Sequence, residues 1–189
     1  MQLKIKARPT GEVAEYAVSE LFRCLTLMDP TLCEGEGGME LSLCLTGTDP
    51  VYDTIDISVR EGRGVISGAN PCALLIAAYR FLYELGCRWT HPGEGGEHIP
   101  TRTLTLHDVN VTVKETPSRR HRGVCIEGAV SEENVIEMIE FLPRVGMNTY
   151  FVQFFRPTVF FQRWYEHWQN GTMGKPKKRP RRLTPSTTA

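Results

Sequence analysis

Asn70-Pro71 and Gly86 bracket the stretch that most constrains this chain, PCALLIAAYRFLYEL. An asparagine side chain accepts from the first free amides of a helix, and proline at the first helical position loses no donor the helix needs. Glycine suits the left-handed residue that follows a helix end. A helix over residues 71–85 is therefore fixed at both ends by local chemistry. Its apolar residues are too dense to face water, so it must lie against a sheet. Its longest apolar run, Ala73 to Ala78, falls far short of the roughly 20 residues that span a bilayer, and no membrane role is expected. The leading MQLKIKARPTGEVAEY has neither the apolar core nor the small-residue cleavage site of a secretory signal.

The neighbouring segments supply the sheet. LKIKA alternates and predicts a strand with Leu3, Ile5 and Ala7 on one face. GEVAEYAVSELFRCLTLM sets Val13, Ala14, Ala17, Val18, Leu21, Phe22 and Leu25 at helical spacing, and Asp29-Pro30 ends that helix. CEGEGGME reads as a loop, and ELSLCLTG as a strand. DTIDISVR and GVISGA, joined by EGRG, read as a hairpin over Asp53–Ala69. After the central helix, CRW predicts a short strand and TRTLTLHDVNVTV a longer one. Residues 1–113 thus read β-α-β-β-β-α-β-β, an α+β sandwich in the α/β class with two helices on a mixed sheet. The order gives no clean right-handed β-α-β series, so a Rossmann domain is not expected.

Pro117 marks a change of grammar. RHRGVCIEGA predicts a strand. SEENVIEMIEFLPRVG predicts a helix capped by Ser131, with Val135, Ile136, Ile139 and Leu142 on its apolar face and Gly146 closing it. MNTYFVQFF predicts a second strand. This is a β-α-β unit whose strands are apolar enough for a parallel sheet covered on both faces. Three regions are expected: 1–116 as a small α/β domain, 117–168 as the β-α-β segment, and 169–189 as a basic, disordered tail.

The segment ALLIAAYRFLYELGCRW…PGEGGEHIP, preceded by Cys72, resembles bacterial glycoside hydrolases that carry a small α/β domain before a (β/α)8 barrel. These are the α-glucuronidase-like and β-N-acetylhexosaminidase-like (family 20) enzymes. Ile57, Val59, Gly64, Ile66 and Gly68, followed by Asn70, match their strand-turn-strand before a capped helix. Arg120, Arg122, Gly123, Val124, Ile126, Glu127 and Gly128 look like the first barrel strand, and VGMNTYFVQF, with Met147 and Asn148 leading it, like the second. The resemblance covers roughly residues 1–165. It implies an accessory domain bracing the start of an incomplete (β/α)8 barrel, with the CRW strand closing the small sheet and the loop after it lying toward the barrel. A carbohydrate is the implied partner of the intact parent. Ala129 and Val130 stand where hexosaminidases place an acid and a sugar-binding Arg on the matching strand, so hexosamine specificity is not implied.

Candidate substrate-binding residues under that resemblance are Glu127, Gln153 and Arg156. Glu127 ends a predicted strand, where barrel enzymes place site residues; it reads either as an acceptor for sugar hydroxyls or as an exposed strand-end acid. Gln153 and Arg156, with His167, read either as a sugar pocket or as a polar rim. Catalysis by a glycosidase needs two carboxyl groups roughly 5–5.5 or 6.5–9.5 Å apart. The family's acids lie on later barrel strands, so no catalytic residue is expected here.

His91, His98, His107, His121 and His167 show no metal-ligand spacing, so no metal is expected. EGEGG and GEGGE are acidic and neither leads from a strand into a helix, so they cradle no phosphate, and no cofactor is expected. Phe160, Phe161, Trp164, Tyr165 and Trp168 could stack on sugars; packing inside a full barrel is the simpler reading. Six dispersed cysteines without a C-x-x-C pair point to reduced thiols and a cytoplasmic protein.

The zero net charge of the 189 residues hides an asymmetry: residues 171–189 hold six Lys/Arg and no acid, leaving sixteen Lys/Arg against twenty-two Asp/Glu before them. A basic run can bind phosphates, yet no base-reading element accompanies it, and no specific nucleic-acid partner is expected. The composition shift near Trp168 reads as a frame change or truncated gene. The sequence reading is thus a glycoside hydrolase front end without catalysis of its own, with a non-catalytic carbohydrate- or protein-binding module as the alternative and a nucleic-acid binder through the basic tail as a lesser one.

Overall fold

A computed structural model describes residues 1–8, 11–47, 51–126 and 132–152. Its strands and helices run β1 (Gln2–Arg8), α1 (Glu12–Met28), β2 (Cys33–Glu34), β3 (Met39–Leu45), β4 (Ile55–Arg60), β5 (Arg63–Gly68), α2 (Pro71–Glu84), β6 (Arg88–Trp89), β7 (Glu97–His98), β8 (Val111–Glu115), β9 (Gly123–Ile126), α3 (Glu132–Phe141) and β10 (Thr149–Val152). Short 3-10 turns cover Leu106–Asp108 and Leu142–Val145.

The main sheet has six strands in the order β2-β1-β3-β5-β4-β8. β1 runs parallel to both β2 and β3, and β3 parallel to β5. β4 runs antiparallel to β5 and to β8. The architecture is mixed α/β, as the strand pattern predicts. The β1-α1-β3 passage joins two adjacent parallel strands, a β-α-β unit that the sequence order alone did not disclose. β4 and β5 form the expected hairpin. Its two-residue turn places Glu61 at φ 48° and Gly62 at φ 70°, the pair of positive φ values that matches the twist of the flanking strands.

One face of the sheet carries the core. Met39, Leu41 and Leu43 of β3 are buried, while Glu40 and Ser42 between them face solvent. Leu3, Ile57 and Ile66 join them from neighbouring strands, and α1 and α2 pack over this face and against each other through Leu21, Leu25, Leu74, Ala77 and Phe81. Gly68 lets α2 sit directly on the end of β5: a Cβ there would lie 2.2 Å from the Leu74 amide nitrogen.

The capped central helix forms as read. The Asn70 side chain accepts from the Ala73 amide at 2.8 Å. At the other end Gly86 takes φ 103°; its amide donates to Tyr83 O, and the Cys87 amide donates to Leu82 O. That pair of bonds is a Schellman closure.

Several expectations are corrected. Residues 101–110 are not strand: Thr105 and Asp108 bond reciprocally around a 3-10 turn, and β8 begins only at Val111. Side chains that bond local backbone compete with a sheet ladder, and the alternating TLTLHDVNVTV pattern hides this. The CEGEGGME loop contains β2. The CRW strand does not close the main sheet; Arg88 pairs with His98 and Trp89 with Glu97 in a separate two-stranded ribbon.

β9 and β10 pair in a third sheet. They begin side by side, since the Arg122 carbonyl accepts from both the Asn148 and Thr149 amides. Of the predicted inward face of α3, Leu142 is buried, but Ile136 is 38% and Ile139 51% exposed, and Phe151 on β10 is 56% exposed. The expected covering of both faces is therefore not seen among the described residues: two strands are too narrow a sheet to bury a helix face.

Candidate functional site

The polar residues that the fold draws together lie on a seam between the small sandwich and the β9-α3-β10 segment. Asp53 is its centre. It lies two residues before β4, and its side chain is only 7% exposed. Its Oδ1 accepts from Asn70 Nδ2 at 2.9 Å. Its Oδ2 accepts from Arg122 Nη2 at 2.9 Å and Asn148 Nδ2 at 2.6 Å. Burial by itself would raise this carboxyl, but the bonds from Asn70, Arg122 and Asn148 and the Arg122 charge outweigh it and hold the group below its ordinary range.

Arg122 and Asn148 are fixed in turn. Arg122 Nε donates to Gly146 O at 3.0 Å, and its Nη1 to Arg119 O at 3.0 Å. Asn148 Oδ1 accepts from the Arg122 amide at 2.9 Å, and its Nδ2 also donates to Arg120 O at 2.7 Å. One carboxylate thus clamps the helix cap of α2 to the starts of β9 and β10. With three donors on its two oxygens, the buried Asp53 charge is not left unpaired.

A second network lies beneath α2. Glu20 is 4% exposed on the inner stripe of α1. Arg23 donates to both of its oxygens, and Tyr79 Oη donates to Oε2 at 2.9 Å. Arg23 also makes a two-pronged contact with Glu97, both bonds at 2.7 Å. Trp89 Nε1 donates to Glu97 Oε1 at 2.8 Å, and the Trp89 ring meets Tyr79 edge-on at 5.2 Å. Burial and then the Glu20 charge push the Tyr79 phenol far up, so it remains a neutral donor. Burial works against the Glu97 carboxylate, yet the Arg23 and Trp89 bonds leave it lowered. Trp89 is therefore a buried anchor, locked by a charged pair that the sequence did not announce.

Between these networks opens a cleft of about 660 Å³. Ile76, Arg80 and Tyr83 of α2, Arg88 and Trp89 of β6, and Arg144 of the 142–145 turn contribute to its walls. Arg144 approaches Glu20 at 3.7 Å and lies over the Tyr79 ring at 5.9 Å; its buried Nε has no hydrogen-bond partner.

The site residues expected from the sequence, Glu127, Gln153 and Arg156, lie outside the described residues, as do His167 and the aromatic cluster at 160–168. Among the described residues, no group of three or more His, Cys, Asp or Glu could hold a metal ion, and no helix is long and apolar enough to cross a membrane. Sequence reasoning missed Asp53, Glu20, Arg23, Glu97 and Arg144. A signal existed for Glu20: it falls on the buried stripe of Ala17, Leu21 and Cys24, and an acid on an apolar stripe requires a partner. Arg122 and Asn148 stood in the quoted motifs without an assigned role.

No protein-family model matches the chain, and the search of curated proteins returns no match.

Proposed function

We propose that this chain is an accessory α/β domain of a carbohydrate-active glycoside hydrolase, joined to the opening β-α-β of its (β/α)8 barrel, and that by itself it does not turn over glycosides. The observation that carries the reading is the Asp53 clamp. A bracing domain must hold the first barrel strands in register, and Asp53 bonds to the residues that start β9 and β10. The exposed Ile136, Ile139 and Phe151 add support, since they are apolar side chains that further strand-helix units would cover. Under this reading the partner is a carbohydrate and Glu127, Gln153 and Arg156 belong to its binding surface. The six cysteines, none of them in a disulfide, fit a reducing, cytoplasmic setting.

Two measurements test it. Reading the coding DNA from codon 168 in all three frames should reveal strand-helix repeats with acids at strand ends; if no frame does, the glycosidase parentage fails. Incubating the chain with chromogenic glycosides should yield no turnover, and any turnover overthrows the claim of inactivity. Saturable sugar binding without turnover, together with no continuing frame, would favour the alternative of a non-catalytic binding module.

A further inference from the structure

We propose that the cleft between α2, β6 and the 142–145 turn binds a small oxyanion, a carboxylate or phosphate carried on a sugar-sized body. The charge balance of its walls carries the argument. Arg80, Arg88, Lys114, Arg122 and Arg144 line it, against the carboxylates Asp53 and Glu115. Both carboxylates are already engaged, Asp53 with Arg122 at 2.9 Å and Glu115 with Arg80 at 3.1 Å. Arg80 pairs with Glu84 as well, Lys114 with Asp56 and Arg144 loosely with Glu20, which leaves Arg88 as the wall guanidinium with no carboxylate among the described residues.

Arg88 meets no carboxylate among the described residues. Its Nη1 donates to the carbonyls of Tyr83 and Cys87, both at 2.7 Å, and its guanidinium lies on the Tyr83 ring at 3.8 Å. Stacking of this kind holds the planar fork in place, so little side-chain freedom is lost when an anion arrives. Arg144 approaches Glu20 at 3.7 Å and lies over the Tyr79 ring, and that carboxylate is shared with Arg23 and Tyr79. The two cations come from different elements of the same cleft. Arginine forks match the paired oxygens of carboxylate and phosphate alike.

The rest of the wall sets the body of the ligand. Ile76, Tyr83, Trp89 and Val145 are apolar or aromatic, and the volume falls in the range of roughly 300–1,000 Å³ typical of small-molecule sites. An anion with a compact, partly apolar frame fits; a bare ion leaves most of the space unfilled. The proposal stands apart from the glycoside hydrolase reading, since neither the charge balance nor the lining depends on it.

Calorimetric titration of the whole chain at low salt tests it, with gluconate, glucose 6-phosphate and neutral glucose as probes. Saturable binding of either anion, with none for glucose, is the expected result, and the preferred anion identifies the source of the oxyanion. Arg88→Gln should weaken that binding about tenfold or more, through loss of a charge-assisted contact. Arg88 is exposed, and glutamine keeps an amide donor for the Tyr83 or Cys87 carbonyl, so the variant should stay folded, with at most a small drop in melting temperature. Absence of saturable binding by both anions overturns the proposal. So does equal binding of glucose, or binding that Arg88→Gln leaves unchanged, which would place it elsewhere, such as on the basic residues 171–189.

Discussion

Replacing Asp53 with asparagine tests the clamp most directly. The change preserves shape but sets a conflict. An amide can offer its oxygen where Oδ2 faces Arg122 and Asn148, but its NH2 group then meets Asn70 Nδ2, a second donor. Asn70 cannot turn to relieve this, because its own oxygen caps the Ala73 amide. Removing one partner of a buried ion pair costs about 3–5 kcal/mol. Arg122 keeps 22% side-chain exposure and the Gly146 and Arg119 carbonyls, which lowers the expected loss to about 2–3 kcal/mol. With a urea dependence of about 2 kcal/mol per molar for a chain of this size, the unfolding midpoint should fall by about 1–1.5 M. Far-UV circular dichroism at neutral pH measures it.

The pH dependence sharpens the test. The Asp53 carboxyl lies below its ordinary value of 3.8 in the folded chain. Its stabilisation is therefore whole above that ordinary value and drains away as pH falls through the lower, folded one. The gap between parent and Asp53→Asn should be constant above about pH 5 and close in stronger acid. A midpoint unchanged at neutral pH, or a gap that persists in strong acid, would refute the argument that a charged Asp53 holds the seam.

Other outcomes follow from the same geometry. Glu20→Ala strips the partner from Tyr79 and Arg144 and one partner from Arg23, and should cost about 3 kcal/mol in a denaturant melt. Gly86→Val forces a branched side chain to φ 103° with its Cβ 3.3 Å from Pro100, and should cost about 1–2 kcal/mol by the same assay. Thiol titration of the native chain should modify the exposed Cys33 and Cys125 first. Burial pushes Cys24 up to about 12 and Cys87 up to about 11, so those two should react only on unfolding; early labelling of either contradicts their placement in the core.

Much of the fold was legible because it rests on local chemistry. Asn70, Pro71 and Gly86 set the limits of α2 through bonds within a few residues of each other. The EGRG turn announced the hairpin. The alternation in ELSLCLTG, with Leu41, Leu43 and Leu45 on one side, showed which side of β3 would be buried, and Leu41 and Leu43 are. Reading failed where local polar bonds defeated an alternating pattern, as at Thr105 and Asp108. It failed again at CRW, because a two-residue strand carries too little pattern to name its partner.

The seam belongs to a different class of information. Asp53 meets Arg122 across 69 residues and Asn148 across 95, and Arg23 meets Glu97 across 74. Periodicity reports which face of an element is apolar, and capping residues report where it ends. Neither reports which strand lies next to which, and a polar side chain acquires its partner only from that arrangement. The sequence by itself determined the longer elements of the main sheet and its two helices, the ends of α2, and which side of β3 is buried. The tertiary structure alone decided that β3 would lie between β1 and β5, that Trp89 would be held by Glu97, and that one buried carboxylate would join α2 to β9 and β10. Such pairings depend on groups distant in the chain meeting at hydrogen-bond range, which only the packed fold brings about.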